Sequence, residues 1–265
     1  MEETNASEQL LPFEKLNLRG EYRNYFAVKR SNFFASVQGF PELWDCFLRL
    51  DEIWIREFSD LERITIPGQV LPLQLLMHSH AQFRVALELG FSTCLSEAWN
   101  ILRSSMETAA LASVIHTEPK LTFVWLARSD GPVAKKAYKA AFEVNGKKSL
   151  FTGSRTLQTL WEDYREYSEH GTHPTVEAIA IRQSTHSTEK DQQWRLNYLE
   201  QDPKRLASIL FAMLRSSGLT EQVCFECFNA RLQLDDGLEK MRVEFRKRQS
   251  QAADSLIKRL DIKQT

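Results

Sequence analysis

Apolar side chains recur every three to four residues through nearly the whole of this chain, and that spacing restricts it to a helical architecture. In "YRNYFAVKRSNFFASVQGF" the residues Tyr22, Tyr25, Phe26, Phe33 and Val37 keep mainly to one face. "PELWDCFLRLDEIWIREFSDLERI" opens with Pro41, whose missing N–H suits a first helical position, and runs on to "IPGQ". The densest apolar stretch, "LPLQLLMHSHAQFRVALELGFSTCLSEAWNILRSSMETAALASVIHTEP", is rich in Ala, Leu and Met, all strong helix formers. It predicts two long helices of roughly 20 to 24 residues, divided at Gly90 and stopped by Pro119, as the central pair of a bundle.

Shorter helices are expected in "PKLTFVWLARSD", "GPVAKKAYKAAFEV" and "SRTLQTLWEDYREYSEH". Asp202 can N-cap a long helix opened by Pro203, and the charged "LEKMRVEFRKRQSQAADSLIKRL" reads as a closing helix exposed on most sides. One interval breaks the period. Val176–Gln183 and Gln193–Glu200 alternate apolar and polar residues around the polar "STHSTEKDQ", which predicts a small β-hairpin around residues 176–200. Residues 1–19 carry little periodicity and are expected to form a flexible arm, leaving 20–260 as a single helical domain. The expected class is all-α, a multi-helix bundle.

Charge and cysteines narrow the function. A net charge of −1 argues against a protein wrapped in nucleic acid by bulk electrostatics, although the sum does not exclude a local basic patch. The start of the sequence is acidic and lacks an apolar signal core, and no apolar run approaches the roughly 20 residues of a membrane span. A cytoplasmic protein with no membrane partner is expected. Cys224 and Cys227 form a CxxC, but inside a continuous helical pattern and without a second CxxC, so core thiols are expected rather than a zinc or redox site. No cofactor and no metal are expected: GxGxxG, GxSxG and HExxH are absent, and "NGKKS" lacks the upstream glycine of a phosphate-binding loop.

Two features could carry chemistry. Arg103 and Glu107 stand at i and i+4 on the most apolar helix, among Leu102, Met106, Ala109 and Ala110. They form either an ion pair on a solvated stripe or a half-buried polar site that reaches a partner elsewhere. The second feature is "LWEDYREYSEHGTHPT". Tyr164, Arg165, Ser168 and His170 crowd a helix end that Gly171 and Pro174 terminate, and His173 follows in the turn. Arg165 and His170 have the Arg-x4-His spacing of HEPN ribonucleases, with Glu166 where that pattern has Asn, Asp or His. An imidazole titrating near neutrality can exchange a proton at a ribose 2′-OH while a guanidinium holds the phosphate. The competing reading has His170 or His173 capping carbonyls at the helix end.

The order "SHAQFRVALELGFSTCLSEAWNILRSSMETAALASVI", Pro119, "FVWLAR", "YREYSEHGTHPT" resembles a family of bacterial all-helical proteins of uncharacterised activity. That family's pattern is an Arg-x3-Glu on a central helix followed by a Tyr/Ser…His-Pro element. It is remotely similar to HEPN and abortive-infection helical bundles. The resemblance covers about residues 75 to 180 and would place Arg103, Glu107, Ser168, His173 and Pro174 on the family positions. Only the remote likeness implies an activity, a metal-independent endoribonuclease of toxin or phage-defence type acting as a homodimer. The catalytic candidates are then Arg165, His170 and His173, with Arg103, Glu107, Tyr164 and Ser168 as a supporting polar cluster and RNA as partner. The alternative is a non-enzymatic module for binding a protein partner or itself, with the cluster structural.

Overall fold

The computed structural model describes residues 17, 19–169, 183–187, 192–196, 199–232 and 236–260. Its helices are α1 (Gly20–Gly39), α2 (Pro41–Leu61), α3 (Pro67–Phe91), α4 (Leu95–Thr117), α5 (Leu121–Leu126), α6 (Pro132–Phe142), α7 (Arg155–Tyr167), α8 (Pro203–Phe228) and α9 (Asp236–Leu260). A short extended segment, β1 (Val144–Lys147), and a 3-10 turn (Lys148–Phe151) join α6 to α7. The class is all-α.

Helix α4 occupies the centre, packed by α3, α7 and α8, and one cluster of buried side chains runs through all of them. The α3–α4 contact is close because small residues line it. Ser79 and Ser105 face each other with hydroxyl oxygens 2.8 Å apart, and each hydroxyl lies 2.9 Å from the carbonyl oxygen of the other. Two buried polar groups are thereby satisfied in the gap that two serines leave.

The chain does not break at Gly90. Helix α3 continues through it to Phe91, and the reversal falls at Ser92–Cys94, where Thr93 adopts a φ of 64°. Gly90 serves packing instead: a Cβ there would stand 2.9 Å from the Met213 Cε of α8. Pro119 lies just past the end of α4, next to Gly68 at the start of α3, so the pair forms an antiparallel hairpin.

The sheet differs from the one expected. An antiparallel hairpin pairs β2 (Gln183–Ser187) with β3 (Gln192–Leu196), in register from Gln183↔Leu196 to Ser187↔Gln192. Half of this ladder lies inside the polar stretch that the alternation placed in a loop, and the rest falls within the expected strands. A backbone ladder needs no apolar side chains, and a short connection closes it at lower entropy than a nine-residue loop. Residues 176–182 fall outside the described residues, as does most of the 1–19 arm.

The closing helix is exposed on most sides, as its charge predicts, apart from one buried stripe. Helix α9 lies along α2 and buries Leu238, Arg242, Phe245, Ala252 and Leu256. Among the described residues, no helix is long and apolar enough to cross a membrane.

Candidate functional site

Helix α7 takes its place from sequence alone. Ser154 N-caps it, its hydroxyl accepting from the Leu157 N–H at 3.2 Å, and Leu157, Leu160, Asp163, Tyr164 and Tyr167 then point inward. Those positions step by three and four residues, which leaves Arg165 turned outward. Arg165 is 60% exposed, and its guanidinium stands 3.8 Å from Glu169 one turn on. Ser168 closes the helix by donating to the Tyr164 carbonyl at 2.7 Å, a helix-end contact. His170, His173 and Pro174 lie outside the described residues.

Three of the four supporting residues, Arg103, Glu107 and Tyr164, come together on the opposite side. The Arg103 Nη1 donates to the Tyr164 hydroxyl at 3.5 Å, and that hydroxyl donates to Glu107 Oε2 at 3.2 Å. Arg103 also lies over the Tyr164 ring, 5.4 Å from its centroid. Arg103 and Glu107 therefore communicate through a tyrosine from α7. Sequence reasoning missed the fourth member. Lys147, from β1, donates to Glu107 Oε1 at 2.5 Å and stands 3.5 Å from Glu143. Burial disfavours the Lys147 charge, but the hydrogen bond and charge of Glu107 outweigh it, so the ammonium is held above its ordinary pKa. Burial, and then the Glu107 charge, pushes the Tyr164 phenol up. Arg103 Nε is buried and has no hydrogen-bond partner.

Behind this cluster α7 makes a second polar contact. Arg215 pairs with Asp163, Ser216 donates to Asp163 Oδ2 at 2.5 Å, and the Tyr167 hydroxyl lies 3.0 Å from Ser216 Oγ. Serine, carboxylate and tyrosine meet here, yet Asp163, Tyr167 and Ser216 are all buried. Burial raises the Asp163 carboxyl, against the opposing hydrogen bond from Ser216 and charge of Arg215.

Two further histidines and the CxxC thiols sit elsewhere. His80 is buried with its Nε2 2.7 Å from Asp51, stacked on Trp54 and Phe83, whereas His78 is exposed. Burial alone would raise Asp51, but hydrogen bonds from His80 and Arg84 hold it well below the carboxylate range. Cys224 is fully buried and Cys227 partly so, both thiols free and both pushed up chiefly by burial. A raised pKa leaves them protonated and inert at neutral pH.

A buried ion cluster lies at the α2–α8–α9 junction and went unnoticed in the sequence. Arg242 Nη1 donates to Glu57 Oε1 at 2.9 Å and also pairs with Glu221; its Nη2 donates to Gln222 at 2.6 Å. The guanidinium lies 3.9 Å from the Phe225 centroid. Burial pushes the Glu57 carboxyl up to about 7 despite the facing charge of Arg242. Among the described residues, no three His, Cys, Asp or Glu side chains converge as a metal site requires. No family model matches this chain, and comparison with curated proteins and with solved structures finds no match.

Proposed function

We propose that this chain is a non-enzymatic helical interaction module whose polar cluster fixes α4, α7 and β1 in register. The observation that carries this reading is the continuous chain of contacts from Lys147 through Glu107 and Tyr164 to Arg103. Lys147 and Tyr164 each donate to one oxygen of Glu107, and Arg103 donates to the Tyr164 hydroxyl, so the charged ends are turned on one another. A half-buried network of this kind favours one helix arrangement over its neighbours.

A second reading keeps the ribonuclease chemistry, and the exposure of Arg165 supports it. On that reading Arg165 holds the scissile phosphate and His170 exchanges the proton, with His173 the alternative base. Incubating the protein with mixed RNA in the presence of EDTA separates the two. The module reading expects uncut RNA. Cleavage that is lost in both His170→Ala and Arg165→Lys, with the fold intact, would replace it with the nuclease reading, because an ammonium cannot reproduce the two-pronged guanidinium contact.

A further inference from the structure

Helices α5 and α6 form a lobe beyond the end of α4, anchored by the buried Leu121 and Phe142. Its outer surface combines two properties that seldom coexist without a partner. Val133 is 84% exposed, Phe123 75% and Leu126 60%, the three most exposed large hydrophobic side chains of the lobe but for Val144 at its base. Phe123 and Leu126 are three apart on α5 and share a face. Around them stand Arg128, Lys135, Lys136, Lys139 and Lys148, all exposed, and none has a carboxylate partner among the described residues. Neighbouring Lys120 and Lys147 show the contrast, since they pair with Glu118 and Glu107. The whole chain is nearly neutral, so this is a strong local excess of positive charge. Exposed apolar anchors that share a lobe with lysines lacking a carboxylate partner, and with an Arg128 stacked only on Trp125, call for an occupant that is apolar and acidic together.

The sequence contains such an occupant. "MEETNASEQLLPFEK" carries Glu2, Glu3, Glu8 and Glu14 against the single Lys15, with Leu10, Leu11 and Phe13 between them. We propose that the lobe of one copy docks the acidic amino-terminal stretch of a second copy, so that two copies exchange these segments about a two-fold axis. This rests on the module reading and names its partner.

Distance selects the second copy over the first. Helix α1 lies across the α3–α4 reversal, with Asn32 donating to Thr93 at 2.9 Å and Lys29 2.9 Å from Glu88. Glu21 and Tyr22, near its start, line a cavity with Leu199, Pro203 and Leu206 at that same end of the bundle. The lobe stands at the other end of α4, about 33 Å away at ~1.5 Å per helical residue. From Asn17, Leu10 can reach at most about 25 Å even fully extended, and Phe13 less. The anchors of one copy cannot cover its own lobe.

Sedimentation of the 265-residue protein over a concentration series tests this. A monomer–dimer equilibrium weakened by salt is expected. Lys135→Glu/Lys136→Glu/Lys139→Glu should raise the dimer Kd by about tenfold or more, and Leu10→Ala/Leu11→Ala/Phe13→Ala should do the same. Adding Glu3→Lys/Glu8→Lys/Glu14→Lys to the lysine triple should restore dimerisation, which a misfolded lobe would not allow. The changes fall on exposed lobe residues or outside the described residues, and unchanged far-UV circular dichroism verifies the fold. A wild-type monomer at every concentration overturns the proposal. So does a dimer indifferent to these substitutions, although the module reading then survives with another interface. Retention of labelled single-stranded RNA by wild type, lost in the lysine triple, reassigns the lobe to nucleic acid and overturns the exchange.

Discussion

Two of the polar junctions that hold helices together here differ in depth. The α4–α7 cluster of Arg103, Glu107, Tyr164 and Lys147 is half-buried, with the Glu107 side chain 29% exposed. The α2–α8–α9 cluster places Arg242 between Glu57 and Glu221 with almost no exposure. Water can still reach Glu107 and substitute for a lost partner. At Glu57 it cannot, so the protein must supply every compensating contact and adjust protonation where it falls short. One guanidinium facing two carboxylates falls short by one charge, consistent with a Glu57 carboxyl that stays protonated to neutral pH. Depth thus decides whether a polar tie acts as a rivet or as a proton-sensitive joint.

The largest effect should follow from breaking the deep junction. Arg242→Ala strands two buried carboxylates and removes the guanidinium from the Phe225 face, and should cost roughly 3–5 kcal/mol in a urea melt. A loss below about 1 kcal/mol would mean that α9 does not depend on this contact, and the contrast between the two junctions would collapse.

Proton linkage should give the next effect. The Glu57 pKa is raised on folding, so the folded state binds a proton that the unfolded state has released. Its stabilising contribution is complete below the unfolded carboxyl pKa of about 4.5 and is lost as pH rises through about 7. The slope cannot exceed about 1.4 kcal/mol per pH unit for one proton. Stability of wild type minus Glu57→Gln, followed from pH 4 to pH 8, should therefore fall and then level. A flat difference would show that Arg242 fully neutralises Glu57.

The shallow junction should respond more weakly. Glu107→Ala loses the Lys147 ion pair and the Tyr164 hydrogen bond, and about 1–2 kcal/mol is expected in the same urea melt. A double-mutant cycle with Lys147→Met isolates their coupling. A cost equal to that of Arg242→Ala would erase the distinction by depth.

Legibility in the sequence follows the same division. Arg103 and Glu107 were visible as a pair because both lie on one helix, and α-helical spacing puts i and i+4 side by side. Tyr164 was visible as a neighbour through its place at the helix end. Lys147 was not, because β1 reaches Glu107 from 40 residues away and no period marks it. Glu57 and Arg242 are separated by 185 residues, and helical spacing relates only near neighbours, so no period marks the pair. Pro41, Asp202 and Pro203 fixed helix starts correctly because caps are local chemistry. Gly90 misled for the reverse reason: a contact with Met213, distant in sequence, explains the glycine better than any turn does.

The smallest effect should come at the helix end where sequence motifs pointed most strongly. Arg165 lies on the outer face of α7, away from Leu157, Leu160, Tyr164 and Tyr167, and both it and Glu169 are more than half exposed. Water already solvates the guanidinium, and a 3.8 Å ion pair one turn away adds little against screening and side-chain entropy. Arg165→Ala should therefore change stability by less than about 0.5 kcal/mol in the urea melt. That small number gives the substitution its use, since a variant this neutral separates chemistry from folding. If it left every measured property of the protein unchanged, Arg165 would be a solvated surface residue and the exposed face of α7 would carry no function. A loss of RNA cleavage or of self-association in an equally stable Arg165→Ala protein would instead place function on the outer face of α7, a single residue along the chain from the buried tyrosine that anchors it.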